Sequence, residues 1–140
     1  MKPKEYIYED INIGMEDSFS TEITPEIMAA FRDLSGDVNP LHNDEVYAKS
    51  LGYPDRVCFG MLSASFLSTL AGVYLPGKYS IIHSVEVSFP KAVILGDTLT
   101  VSGKVTEKND IYRFFILKVN ITNQRGEKVC RGKMQIGVTK

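Results

Sequence analysis

Two side chains stand out for what they could do to a proton. Asp37 and His42 lie five residues apart in the run Ser35-Gly36-Asp37-Val38-Asn39-Pro40-Leu41-His42. A carboxylate can accept a proton from water and an imidazole can hold or relay one, so a loop that brings both onto a single water molecule could perform general acid–base catalysis. Pro40 stiffens the connection, and stiffness matters because misplacement weakens proton transfer steeply. The same residue types also build ordinary turns. Asp37 or Asn39 could serve only to cap local backbone, and composition alone favours that plainer reading.

The elements on either side must position this loop. Upstream, Thr24-Pro25-Glu26 reads as a helix start, with an N-cap, a Pro at the first helical position and an acid in the first turn. Ile27, Phe31 and Leu34 recur at helical spacing, and Gly36 follows as a left-handed stop. Asn39 precedes Pro40, which disfavours the α conformation at Asn39, so Asp37 to His42 is expected to be a tight irregular connection. A short helix over roughly Asp44 to Ser50 is expected next, with Gly52 ending it.

Val57 to Gly77 contains no charged residue and matches the ~20 residues that a membrane helix needs. Ser63, Ser65, Ser68, Thr69, Gly60, Gly72 and Pro76 dilute its hydrophobicity, so it reads as a helix buried all round at the centre of a soluble fold. Beyond it the period changes. Val85, Val87 and Phe89 alternate, as do Leu99 and Val101, with Val105 in phase, and Cys130, Met134, Ile136 and Val138 form another alternating set. Tyr112 to Ile121 is rich in aromatic and β-branched residues. With turn signals at Lys108-Asn109-Asp110 and Asn123-Gln124-Arg125-Gly126, these segments predict antiparallel strands joined by hairpins and an α+β domain in which a curved sheet covers a hydrophobic helix.

Composition narrows the function. The 140 residues are read as one domain, residues 1–140, and sixteen basic against seventeen acidic residues leave a formal charge of -1 with the signs mixed. No basic face is evident for nucleic acid or anionic lipid. Cys58 and Cys130 are far apart and only His42 and His83 accompany them, which disfavours a structural metal or a disulfide scaffold. No Gly-rich phosphate loop follows a strand, so no nicotinamide or flavin is expected. Without an apolar leader at the N-terminus, the chain reads as cytoplasmic. The edge strands of such a sheet need covering, and pairing two sheets across a twofold axis favours a homodimer.

The run from Phe31 to His42, with Ala48 beyond it, resembles the signature of the R-specific enoyl-CoA hydratases and MaoC-like dehydratases. The resemblance continues through Gly60-Met61-Leu62, Leu75-Pro76-Gly77, Phe89-Pro90 and Gly96-Asp97-Thr98-Leu99, roughly from Thr24 to the end. It implies a hot-dog fold, a long central helix wrapped by a curved antiparallel β-sheet, assembled as a dimer. It also implies hydration of a trans-2-enoyl thioester to the (R)-3-hydroxyacyl thioester, or the reverse dehydration. By position, Asp37 and His42 are the implied catalytic pair, the Gly60 N–H the implied donor to the thioester oxygen, and Ser68 an implied substrate-pocket hydroxyl. The substrate would be carried on coenzyme A or acyl carrier protein, with no further cofactor. The chain departs from the family where Phe59 replaces the usual His before Gly60-Met61, which makes that wall more apolar. A thioesterase of the same fold and a non-catalytic acyl-thioester binding protein are the competing readings.

Overall fold

A computed structural model describes residues 1–140. Five antiparallel strands form one sheet: β1 (Glu16–Glu22), β2 (Ser80–Ser88), β3 (Thr98–Asn109), β4 (Phe114–Thr122) and β5 (Lys128–Val138), in the order β1-β3-β4-β5-β2. The last three make a meander through the two expected turns. Asn109 and Asn123 close these turns by accepting backbone N–H bonds through their side-chain oxygens. β2 is not a hairpin partner of β3 but lies at the far edge beside β5.

Four α-helices lie between β1 and β2: α1 (Pro25–Ser35), α2 (Pro40–Asn43), α3 (Glu45–Ser50) and α4 (Gly60–Thr69), the last continued by a π-helical stretch, Leu70–Tyr74. The caps of α1 are those expected. Thr24 Oγ1 accepts the Ile27 N–H at 3.2 Å, and Gly36 ends the helix at φ 75°, a conformation that costs a side chain with a Cβ but not glycine. Asp44 caps α3 through the Tyr47 N–H.

Alternate residues of the sheet point inward and meet α4. Leu99, Val101 and Val105 of β3, Phe115, Leu117, Val119 and Ile121 of β4, and Cys130, Met134 and Ile136 of β5 form the core with Leu62, Leu67, Leu70 and Ala71. The helix wrapped by an antiparallel sheet is therefore the architecture present.

Three expectations need correction. The apolar segment is not a single α-helix to Gly77, because the α-helix ends at Thr69, a π turn follows, and the chain turns at a cis Leu75–Pro76 bond. Nor is it buried all round: Leu62, Ser63 and Leu67 are buried, while Met61, Ser65 and Ser68 are exposed. Residues 40–43 form a helical turn rather than irregular chain, because Pro40 suits the first helical position and Asn39, kept out of the α region, becomes its N-cap. No helix of the protein is long and apolar enough to cross a membrane.

The connection from β2 to β3 is fixed by Asp97, which is 5% exposed. Its Oδ2 accepts the Ile94 N–H at 2.9 Å and its Oδ1 the Gln124 side-chain amide at 2.8 Å. Replacement by Ala would strand the Ile94 N–H, while the exposed Gln124 amide would turn to water. Asp97→Ala should therefore lower stability by about 1–3 kcal/mol, read as a lower urea midpoint with an unchanged slope; an unchanged midpoint would contradict this role.

Candidate functional site

The loop between α1 and α3 is built from side-chain to backbone bonds. Asp37 Oδ1 accepts the Asn39 N–H at 3.1 Å, and Asn39 Oδ1 accepts the Leu41 N–H at 3.0 Å. The Asn43 amide then donates to the carbonyls of Asn39, at 2.8 Å, and Asp37, at 3.3 Å. The plainer reading of this segment therefore holds for the backbone: the polar residues do cap it. The cap occupies only Oδ1 of Asp37, while Oδ2 accepts no bond within the chain and the residue is exposed.

His42 is held differently. Its Nδ1 lies 2.7 Å from the Val57 carbonyl oxygen. A carbonyl only accepts, so Nδ1 is the protonated nitrogen, and a neutral imidazole then carries its lone pair on Nε2. The imidazole face rests on Phe59, with ring centroids 4.3 Å apart and planes inclined by 32°. Asp37 and His42 do not pair with each other.

Val57 ties the loop to the start of α4. Its N–H donates to the Leu41 carbonyl at 3.1 Å while its own carbonyl holds His42, so both of its backbone groups are spent on the loop. The next residue, Cys58, donates its N–H to Val93 O at 2.7 Å, and the Leu95 N–H donates to Arg56 O at 3.0 Å, which fixes residues 56–58 against the segment that Asp97 braces.

Gly60 opens α4, and its N–H has no acceptor within the chain, as expected for the first helical position. A Cβ built there would meet only the Phe89 ring, at 3.6 Å, an ordinary contact. Internal packing therefore does not require glycine at this position. A cavity of about 290 Å³ opens beside it, lined by Val57, Cys58, Gly60, Ser63, Phe89 and Val93 among others. Larger hollows of about 670 and 480 Å³ lie on the polar face of the sheet around Lys118 and Asn120 and contain none of the residues singled out from the sequence.

The structure thus places His42 and Gly60 at the two ends of the Val57–Phe59 segment, keeps Asp37 on the loop that this segment docks, and leaves Ser68 elsewhere. Ser68 is on the exposed face of α4, does not line the cavity, and makes no side-chain hydrogen bond. Ser63, which lines the cavity, was not singled out, nor were Val57 and Asn43. Val57 acts through its backbone, which no residue type announces. Asn43 had a signal, since an amide directly after a Pro-initiated turn can reach back to the turn's carbonyls.

Cys58 is buried, its Sγ donating weakly toward the Phe59 carbonyl at 3.5 Å with Ser63 Oγ at 3.8 Å. Burial pushes its thiol up to about 11. His83 lies at a bulge of β2, where its Nδ1 accepts from the Gln135 amide.

Comparison with known proteins gives concordant matches. The MaoC like domain matches residues 11–125. The chain is 37% identical to an (R)-specific enoyl-CoA hydratase of Rhodospirillum rubrum, over 95% of this chain and 92% of the relative. The unliganded R-hydratase of Pseudomonas aeruginosa superposes with a TM-score of 0.93 at 28% identity, covering 99% of this chain and 88% of that one. An (R)-hydratase of Aeromonas caviae involved in PHA biosynthesis gives 0.90 at 32% identity, covering 93% and 98%.

The state of the cysteines gives a simple check on the site. At pH 8 a thiol raised to about 11 is almost wholly protonated, and Cys130, also buried, is raised as well. Ellman's reagent should label neither residue in the folded protein and both in guanidinium. Rapid reaction of one equivalent in the native state would contradict the packing described.

Proposed function

The chain belongs to the MaoC-like domain family, and on that premise we propose that it adds water to a trans-2-enoyl-CoA to give the (R)-3-hydroxyacyl-CoA, or removes it in the reverse direction. The observation that carries this reading is the Val57 carbonyl bond to His42. It leaves the Nε2 lone pair available on the same short loop as an unengaged carboxylate oxygen of Asp37.

In the forward direction a water molecule lies between Asp37 and His42. Asp37 accepts its proton as the oxygen bonds to C3, and Nε2 of His42 holds the water in place by accepting its other hydrogen. Electron density moves through the conjugated system onto the thioester oxygen. The Gly60 N–H, at the positive end of α4, stabilises that oxygen as it becomes enolate-like. A proton returned from the Asp37/His42 pair to C2 completes the addition, so H and OH are added across one double bond and nothing is oxidised or reduced. No cofactor beyond the coenzyme A or acyl carrier protein handle enters this chemistry. The absence of an internal packing reason for glycine at position 60 supports close approach of substrate there. The cavity beside it would take the acyl chain.

A homodimer belongs to the same reading. Leu34, Val38, Val46 and Met61 are 85%, 73%, 78% and 68% exposed, on the helices and loop around the site, and the β2 edge presents Ile81, Ile82 and Val85. A second copy of the chain would bury this apolar surface and cover that edge. We assign the protein to the cytoplasm on the same reading.

Crotonyl-CoA tests the proposal. The conjugated enoyl absorbance should fall, with (R)-3-hydroxybutyryl-CoA formed; release of free CoA would give the thioesterase reading instead. Asp37→Asn keeps the shape and the Oδ1 bond to Asn39 but removes the base, so turnover should drop on the order of 100-fold or more in a folded protein. Near-normal turnover would reject Asp37 as the base.

A further inference from the structure

One hydrogen bond does not orient a ring. The Nδ1 bond to Val57 fixes one atom of the His42 imidazole but leaves the plane free to swing about the N···O line. What opposes that swing is Phe59, which is 2% exposed and lies against the imidazole face. Phe59 is itself held from behind by Phe31 of α1, centroid to centroid 4.9 Å with planes at 50°. The three rings join α1, the loop and the entry to α4 in one stack.

We propose that Phe59 is the positioning residue for His42, fixing the imidazole plane so that Nε2 faces the reacting water while offering nothing that could bind Nε2 itself. This rests on the hydratase reading for its kinetic consequence, but not for its geometry. The chemistry of the side chain matters as much as its shape. A phenyl ring can neither donate nor accept a conventional hydrogen bond, so the only hydrogen-bond partner of the His42 imidazole in the protein is Val57, and the other nitrogen stays available. A side chain with a polar atom within the space of the phenyl ring, such as Asn or Gln, would compete for the imidazole. An aliphatic one would fill space without presenting a flat face to it. Rigid support of this kind is what holds a proton-transfer group within the narrow range of productive geometries.

Phe59→Leu tests this by keeping the apolar burial and removing the flat ring, with Phe59→Tyr as the ring-retaining rescue. Turnover of crotonyl-CoA should fall on the order of 10-fold or more in the Leu variant, with KM within about twofold, and recover toward wild type in the Tyr variant. An independent readout needs no activity. The Cε1 proton of His42, identified by its loss in His42→Gln, should carry a ring-current shift in the wild type that disappears in Phe59→Leu, while the His83 signal stays in place. A wild-type nuclear Overhauser contact between that proton and the Phe59 ring is expected even if the Leu variant fails to fold. Absence of the contact, an unmoved His42 signal in folded Phe59→Leu, or a loss carried by KM alone would overturn the proposal. A moved His42 signal in a protein that does not hydrate enoyl-CoA would uphold the positioning geometry and reject the hydratase reading.

Discussion

The backbone of Val57 joins the two halves of the site. Its N–H donates to Leu41 O and its carbonyl accepts from His42 Nδ1, so one peptide segment sets both the course of the loop and the tautomer of the imidazole. Three residues later the chain becomes the first turn of α4, whose opening N–H is unpaired. The spacing between His42 and the N-terminus of α4 is therefore a property of one short, doubly braced segment rather than of flexible side chains. The bracing continues outward: residues 56–58 bond to the 93–95 segment, which Asp97 and Gln124 fix to the end of the meander. The sheet reaches the site through backbone hydrogen bonds as well as through the core.

This construction explains the division of labour among the polar residues. Asn39, Asn43 and one oxygen of Asp37 are consumed in holding the loop, and Nδ1 of His42 is consumed in docking it. Oδ2 of Asp37, Nε2 of His42 and the Gly60 N–H remain without protein partners. A reaction that takes a proton from water, returns one to carbon and gathers negative charge on an oxygen needs two proton-handling atoms and one donor. Phe59, against the His42 ring and beside Gly60 in sequence, supports the imidazole without adding a competing polar group.

Much of this is legible in the sequence. The caps of α1, the short helix after the loop, the central apolar helix, the alternating strands of the meander and the polar loop itself all follow from residue types with local physical meaning. Most of the misses have their cause in tertiary context, whereas the helical turn at residues 40–43 has a local signal in Asn39-Pro40. β1, Glu16–Glu22, carries one large apolar residue, Phe19, among polar ones, because an edge strand with a single neighbour needs little apolar content of its own. β2 is the strand that its alternation predicts, although Ile81 and Val85 are exposed at the other edge. The end of α4 at Thr69 was hidden because Leu70 to Tyr74 remains helical in a wider form that continues the apolar pattern. At the site, Phe59 was visible as a departure from the family's residue, but its contact with His42 depends on a carbonyl that no side-chain pattern encodes.

The tautomer of His42 is the central quantity, since the docking of the loop and the availability of Nε2 both depend on it. Nitrogen-15 NMR of histidine-labelled protein, with His42→Gln to separate His42 from His83, measures it directly at a pH where the ring is neutral. The structure predicts a protonated Nδ1 and an unprotonated, acceptor-type Nε2. A His42 protonated at Nε2 would contradict the account, because Nδ1 could not then donate to Val57 and Nε2 would have no lone pair for water.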